Sequence, residues 1–373
     1  MKEKVAIVFG GTSVEHDISI ITAVQTMAYL PDEYSFVPIY IDKDGLWWTA
    51  DNLNDIKVYQ NFHKKAKVKK QVSLVLGKGE LLAKKNGKFS PYCKLSTVLN
   101  CCHGHIGEDG CVQGVFECCN LAQTSCAVTS SALCMDKSFM KDVFSQNNIL
   151  SPKYVTLRKC EYEQNKKDKL AEIEKKLQTP VVVKPANLGS SIGISFCEKF
   201  EELDEAILLA LSFDRKVVIE EAVKNLREFN CACLSYRGDL VTSIVNEVKN
   251  KTNIFTFEDK YISEHSSGSE VDKALSKRVK KLTERVYEIF DCRGVVRVDF
   301  LYDEHEKMLY VNEINSIPGS LAFYLFKEIP FKELLRALIE ESFSVEDEKR
   351  RLLTTFESDA LKIFEEVQDQ VKK

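Results

Sequence analysis

The sequence predicts an α/β protein that continues into α+β segments, and three observations predict it. An apolar strand, Val5–Phe9, runs into Gly10-Gly11 and a helical segment ending near Leu30, and a strand in FVPIYID follows: a βαβ-like start. KVVIEEAV, EFNCACLSY and GDLVTSIVNEV read as three strands of one antiparallel sheet. The stretch VVRVDFLYDEHEKMLYVNEINSIPG, Val295 to Gly319, reads as two strands around the polar run Asp303 to Lys307. At 373 residues the chain is long enough for about two or three domains and a sizeable core.

Between these landmarks each segment has its own signal. Lys57 to Lys88 is lysine-rich with glycine turns at GKGE and KNGK, the pattern of a solvated hairpin edge. STVLNCC is a strand leading to the glycine-rich loop HGHIGEDG and a helix from about Val112. A new segment starts at SCAVTSS: a helix carrying MDKSFMKDVF, a charged helix from Glu161 to Leu177, then the strand PVVVKP and the small-residue loop ANLGSSIGIS. Lys249 to Glu270 has little periodicity and reads as a long loop. A helix, Lys273 to Phe290, precedes the Val295–Gly319 hairpin. In the tail, Leu353, Phe356, Ala360, Phe364, Val367 and Val371 keep a 3.6-residue period, which predicts a packed amphipathic helix.

Composition narrows the function classes. With 44% hydrophobic and 29% charged residues the chain is an ordinary globular protein, and a net charge of -4 gives no bulk attraction to nucleic acid or an anionic membrane. The apolar run at the N-terminus stops at five residues and lacks a cleavage signal, so it reads as a strand rather than a signal peptide. No apolar run approaches the ~20 residues of a membrane span. Thirteen scattered cysteines without a CxxC fit a reducing cytoplasm better than a disulfide framework. Cys101, Cys102, His103 and His105 suggest zinc at first sight, but adjacent cysteines on a strand point to opposite faces.

The chemistry concentrates in four places. In the hairpin, Arg297 and Asp299 share a parity that should be apolar, as do Glu313 and Asn315. A turn centred on His305 sets Arg297 opposite Glu313 and Asp299 diagonal to it, about 7–8 Å apart at Cα. Two carboxylates and an amide oxygen on one face make a hard, all-oxygen site suited to Mg²⁺ or Mn²⁺; a salt-bridge ladder with Arg297 is the competing reading. In VVVKPANLGSSIGIS a buried strand delivers Lys184 to a Gly-Ser-Ser loop, a nest of amides beside one cation, which suits phosphate unless the loop is only a linker. FGGTSVEHDIS places Glu15 behind a diglycine, and HGHIGEDG puts His103 at a strand end, where open α/β sheets bind ligands.

Together GGTSVEHDIS, HGHIGEDGCVQGVFE, MDKSFMK, VVVKPANLGSSIG, FEDKY and RVDF…VNEINSIPG resemble, in order and over roughly Lys4 to Gly319, the D-alanine–D-alanine ligases of the ATP-grasp superfamily. The resemblance implies a Rossmann-like N-terminal substrate domain (1–125) and two α+β domains (126–219 and 220–373) that grip ATP. It implies Lys137, Lys184 and Ser191 at the phosphates, Glu220 and the Val223 backbone at adenine, Glu228 at the ribose, and Lys260 at the γ-phosphate. Asp299, Glu313 and Asn315 would hold two Mg²⁺ or Mn²⁺ ions. Glu15, Ser190 and Tyr261 would hold the first D-alanine, His103 would orient or deprotonate the second, and Arg297 with the Gly319 N–H would stabilise the oxyanion. Lys249 to Glu270 would be the lid. The implied product is D-alanyl-D-alanine for peptidoglycan precursor synthesis, and hence cell-wall shape, made in the cytoplasm by a homodimer.

Departures locate the open question. Where the family has a Ser/Thr-rich run after NSIPG, this chain has SLAFYLF, so Ser320 and Tyr324 define the second-substrate pocket, and Tyr324 stands where a serine is expected. The hinge EEAVKNLREF is one residue longer than usual, and Ala222 replaces an aromatic. The alternative function is therefore a paralogous ligase that joins D-alanine to D-serine or D-lactate.

Overall fold

A computed structural model describes residues 2–248 and 271–371. Its first sheet has eight strands: β1 (Glu3–Gly10), β2 (Tyr34–Ile41), β3 (Trp47–Thr49), β4 (Lys70–Val75), β5 (Glu80–Lys85), β6 (Lys88–Lys94), β7 (Thr97–Asn100) and β8 (Ala122–Gln123), in the order β6-β5-β4-β3-β2-β1-β7-β8. Strand β1 pairs in parallel with β2 and β7, while β3 to β6 form an antiparallel extension at the lysine-rich edge. The continuous apolar run of β1 is what a strand covered on both faces requires. Val5, Ile7 and Phe9 pack with Ile20 and Met27 of α1 (His16–Tyr29), whereas Ala6 and Val8 pack with Phe116 of α3 (Cys111–Cys118); α2 (Phe62–Lys65) is a single turn. Cys101 and Cys102 fall into these two clusters separately, and no metal-holding group of three or more His, Cys, Asp or Glu occurs among the described residues. Gly10 has φ +93°, and a Cβ there would lie 2.1 Å from the Ile41 carbonyl oxygen, so only glycine lets β1 turn towards the site.

Two helices, α4 (Val128–Met135) and α5 (Lys137–Gln146), lead to a second sheet of β9 (Tyr154–Arg158), β10 (Val181–Pro185), β11 (Ser195–Cys197) and β12 (Lys216–Glu221), ordered β11-β10-β12-β9 and antiparallel throughout. Here the sequence expectation needs correction. KVVIEEAV is β12 and belongs to this sheet, not to the sheet of the two segments after it. Its Val217 and Ile219 complete a core with Val181, Val183 and Leu157 under Ile207 of α7 (Leu203–Phe213) and Ile173 of α6 (Lys159–Lys176). Strand β9 was not anticipated.

The third sheet comprises β13 (Leu226–Tyr236), β14 (Asp239–Thr242), β15 (Asn246–Val248), β16 (Val296–Asp303) and β17 (Met308–Asn315), ordered β14-β13-β16-β17 with β15 also on β13. Phe229, Cys231, Val298 and Phe300 bury one face against Val279 and Val286 of α8 (Lys273–Ile289) and Met140 and Phe144 of α5. The predicted hairpin exists, but its register differs. The turn closes with Asp303 opposite Met308, and a bulge between Asp299 and Phe300 leaves Asn312 as the extra residue. Asp299 therefore faces Glu313 directly, and Arg297 faces Asn315.

Helix α9 (Phe331–Arg350) returns to the first sheet, where Leu334, Leu335 and Leu338 join the cluster of Val5 and Ile7. The last helix, α10 (Ala360–Val371), does not pack as its period predicted: Leu361 is 84% and Phe364 62% exposed. Residues 353–358, which precede it, have no regular structure. No helix among the described residues is long and apolar enough to cross a membrane.

Candidate active site

The polar face of the third sheet is a row of oxygen donors. Asn230 lies opposite Asp299, and Asp299 opposite Glu313, so three strands contribute one side chain each to a line. Like charges directly opposed are destabilising unless a cation stands between or beside them. Arg297 supplies one such charge, its Nε and one terminal nitrogen donating to the two Asp299 oxygens at 2.7 and 2.8 Å. Lys137 supplies the other, 3.6 Å from Glu313. Asn315 donates from Nδ2 to Asp299 at 3.1 Å. The amide oxygen of Asn230, a residue 8% exposed, has no hydrogen-bond partner among the described residues.

Two lysines tie the second sheet to this row. Lys184, on β10, donates to Glu220 at 3.1 Å and to Asn312, the bulge residue, also at 3.1 Å. The bulge thus re-aims Asn312 out of the strand's alternation towards the cleft. Lys137 opens α5 after the N-cap Asp136, and besides Glu313 it donates to the Leu188 carbonyl at 2.8 Å. The loop after β10 carries Ser190 and Ser191 at φ +53° and +57°, both in the left-handed region. Lys141, one helical turn beyond Lys137, is fully buried 3.4 Å from Glu220. Burial pushes the Lys141 ammonium down to about 8 although Glu220 opposes it. Burial alone would raise the Glu220 carboxyl, yet Lys141 and Lys184 hold it below its ordinary value. Glu220 Oε1 still has no hydrogen-bond partner among the described residues.

Residues from the first sheet close the other side. Glu15, buried at the start of α1, accepts a short hydrogen bond from Ser190. Gly104 and Gly189 back onto its carboxylate: a Cβ at Gly104 would lie 2.6 Å, and one at Gly189 2.9 Å, from a Glu15 oxygen. Glu108 accepts from the Gly104 N–H at 2.7 Å and the Ile317 N–H at 3.1 Å. Its burial beside Glu15 pushes the Glu108 carboxyl up to about 8. His103 is buried with Nε2 3.0 Å from Thr22 Oγ1, and burial with the nearby Arg297 charge pushes its imidazole down to about 4.

Most of the sequence-predicted residues therefore converge on one cleft. Glu228 shares the sheet face of Asn230 by alternation, and Val223 lies in the half-buried link between β12 and β13. Gly319 and Ser320 follow the row's last residue, and Tyr324 packs partly buried against the first apolar cluster. Lys260, Tyr261 and the lid expectation, 249–270, lie outside the described residues. Sequence reasoning missed Thr22, Glu108, Lys141, Asn230 and Asn312. Lys141 had a signal in its four-residue spacing from Lys137, and Glu108 sits inside a motif already singled out. Asn312 had none, because a bulge is invisible in the alternation pattern.

Comparisons with known proteins agree with this geometry. Residues 4–126 match the family model described as D-ala D-ala ligase N-terminus, and residues 143–340 the one described as D-ala D-ala ligase C-terminus. The D-alanine–D-alanine ligase of Chloroherpeton thalassium is 37% identical over 91% of this chain and 96% of its own. That of Thermosipho africanus is 34% identical over 93% and 95%. Among solved structures, the VanG D-Ala:D-Ser ligase from Enterococcus faecalis superposes with a TM-score of 0.80 at 28% identity, over 92% of this chain and all of that one. The D-alanine–D-alanine ligase from Helicobacter pylori gives 0.75 at 27%, over 91% and 98%.

Proposed function

The chain belongs to the D-alanine–D-alanine ligase family with its ATP-grasp fold, and from that premise we propose that it joins two D-alanines into D-alanyl-D-alanine with ATP, forming ADP and phosphate. The observation that carries the reading is the pair Lys137, which opens α5, and Lys184 on β10, which reach Glu313 and Asn312 of the third sheet beside an opposed pair of carboxylates. Residues 1–125 serve as the substrate domain, and 126–219 and 220–373 as the two that grip ATP. The phosphates take Lys137, Lys184 and the Ser190–Ser191 amides, with Lys260 at the γ-phosphate. The Glu220 oxygen that has no partner among the described residues and the Val223 backbone suit the adenine amino edge, and Glu228 the ribose.

Two divalent ions, Mg²⁺ or Mn²⁺, fit Asp299, Glu313 and Asn315, because two carboxylates and an amide oxygen on paired strands make a hard, all-oxygen donor set. Such ions, when bound, neutralise charge on the transferring phosphoryl group. Glu15, braced by Ser190 and Tyr261, holds the ammonium of the first D-alanine, whose carboxylate attacks the γ-phosphorus to give an acyl phosphate and ADP. The amine of the second D-alanine attacks that acyl carbon, and phosphate leaves. Arg297 and the Gly319 N–H hold the intervening oxyanion. His103, neutral and engaged through Nε2, orients this side of the site. The pathway role is peptidoglycan precursor synthesis. A cytoplasmic homodimer is the setting the family resemblance implies.

Phosphate release from Mg-ATP, measured with D-alanine alone and then with D-serine or D-lactate added, tests this, with products weighed by mass spectrometry. D-alanyl-D-alanine from D-alanine alone is the expected result. A mixed product only would favour the D-serine or D-lactate reading, for which Tyr324 and the likeness to a D-Ala:D-Ser ligase speak. No release with any of them would overturn both.

A further inference from the structure

The turn after Gly319 is strained, and its conformation is held from the first sheet. Ser320, Leu321 and Ala322 have φ +53°, +50° and +48°, three consecutive non-glycine residues in the left-handed region. Each costs about 1–2 kcal/mol, so the run persists only where its surroundings over-determine it. Leu321 and Ala322 are buried in the first apolar cluster, which fixes one side. On the other side, the Ser320 N–H donates to Thr22 Oγ1 at 3.0 Å. Thr22 is fully buried on α1, and the same oxygen lies 3.0 Å from His103 Nε2. The imidazole also hydrogen-bonds the Ile317 backbone carbonyl, which takes its other nitrogen as the protonated one, so Nε2 is the acceptor and Thr22 Oγ1 donates to it while accepting from Ser320. One hydroxyl therefore joins a buried histidine to a strained backbone.

We propose that Thr22 is a positioning residue for the second substrate: its hydroxyl, locked by His103, sets the left-handed turn at Ser320–Ala322 and with it the subsite beside Gly319. This rests on the ligase reading above. His103 then acts through Thr22, not as the base that takes a proton from the incoming amine. A valine at position 22 matches threonine in shape but leaves both the Ser320 N–H and His103 Nε2 without their partner. The turn loses the bond that offsets part of its strain, and the second D-alanine is the ligand that feels it, because ATP and the first D-alanine are held elsewhere.

The test is steady-state kinetics on Thr22→Val and Thr22→Ser, with separate KM values for ATP and each D-alanine, plus ¹⁵N NMR of the His103 ring. Expected is a rise of about tenfold in the KM of the second D-alanine in Thr22→Val, with the other two KM values within about twofold, and recovery in Thr22→Ser. The wild-type and Thr22→Ser spectra should show a neutral ring protonated at Nδ1, and Thr22→Val should lose that signature. Should Thr22→Val fail to fold, Thr22→Ala, which also lacks the hydroxyl, makes the same comparison. An unchanged second KM in an active Thr22→Val or Thr22→Ala enzyme would overturn the assignment, as would a parallel rise of all three. A wild-type chain that makes no D-alanine product fails the ligase reading itself, which the same assay shows before any variant is compared.

Discussion

Glu313 faces Asp299 across one strand pair, and its charge is the part of the site most easily removed without altering shape. Glu313→Gln should fold normally, bind Mn²⁺ with ADP far more weakly by calorimetry, and lose roughly a hundredfold or more in turnover. Turnover near that of the parent would sink the metal assignment. His103 makes a second residue-scale prediction. Its imidazole is pushed down to about 4, against an ordinary 6.5, so the unfolded chain binds the extra proton between those values. The stability of the neutral buried ring is intact above about pH 6.5 and is lost as pH falls towards 4. At pH 5 this one group should cost about 2 kcal/mol relative to pH 7. Urea unfolding at both pH values should show a smaller pH-dependent loss for His103→Gln than for the parent. Equal losses would mean that another group carries the effect.

At the scale of elements, the reading from sequence succeeded where one periodicity ruled and failed where tertiary pairing decided. The buried β1 run and the Lys273 helix were legible, since each follows from local pattern alone; of the expected hairpin edge Lys57 to Lys88, only the part from β4 onwards is strand, and residues 56–65 are helical instead. The membership of β12 was not, because an antiparallel strand carries no label for its neighbour, and only the core beneath Ile207 decides it. In the hairpin the residues of the donor row were found but their pairing was misread, because the turn closes one residue off the expected register and a bulge shifts every partner beyond it by one more. The contact of α5 with β12 was equally hidden. There the Lys141–Glu220 pair is buried on both sides, and removing one partner of such a pair leaves charge uncompensated. Lys141→Met should destabilise the protein by about 3 kcal/mol, read as a lower urea midpoint at constant slope. An unchanged midpoint would show that Lys184 alone neutralises Glu220.

Across the whole molecule, the chain ends by crossing back. Helix α9 packs on the first sheet, so residues more than three hundred positions apart share one apolar cluster that includes Val5 and Leu338. The tail beyond it contributes little to that cluster, with Leu353 98% and Phe356 88% exposed. Truncation after Arg351 should therefore change unfolding free energy by less than about 0.5 kcal/mol and leave ligation intact. A large loss of either would mean that the tail's apolar face is covered in solution.

The two lysines that span the cleft also govern how a nucleotide would arrive. Their positive charge is engaged by Glu313, Glu220 and Asn312, so an incoming triphosphate exchanges one set of acceptors for another. Binding of this kind is ion exchange within the protein and releases fewer salt ions than the number of cationic side chains suggests. Nucleotide affinity should accordingly fall only shallowly as ionic strength rises.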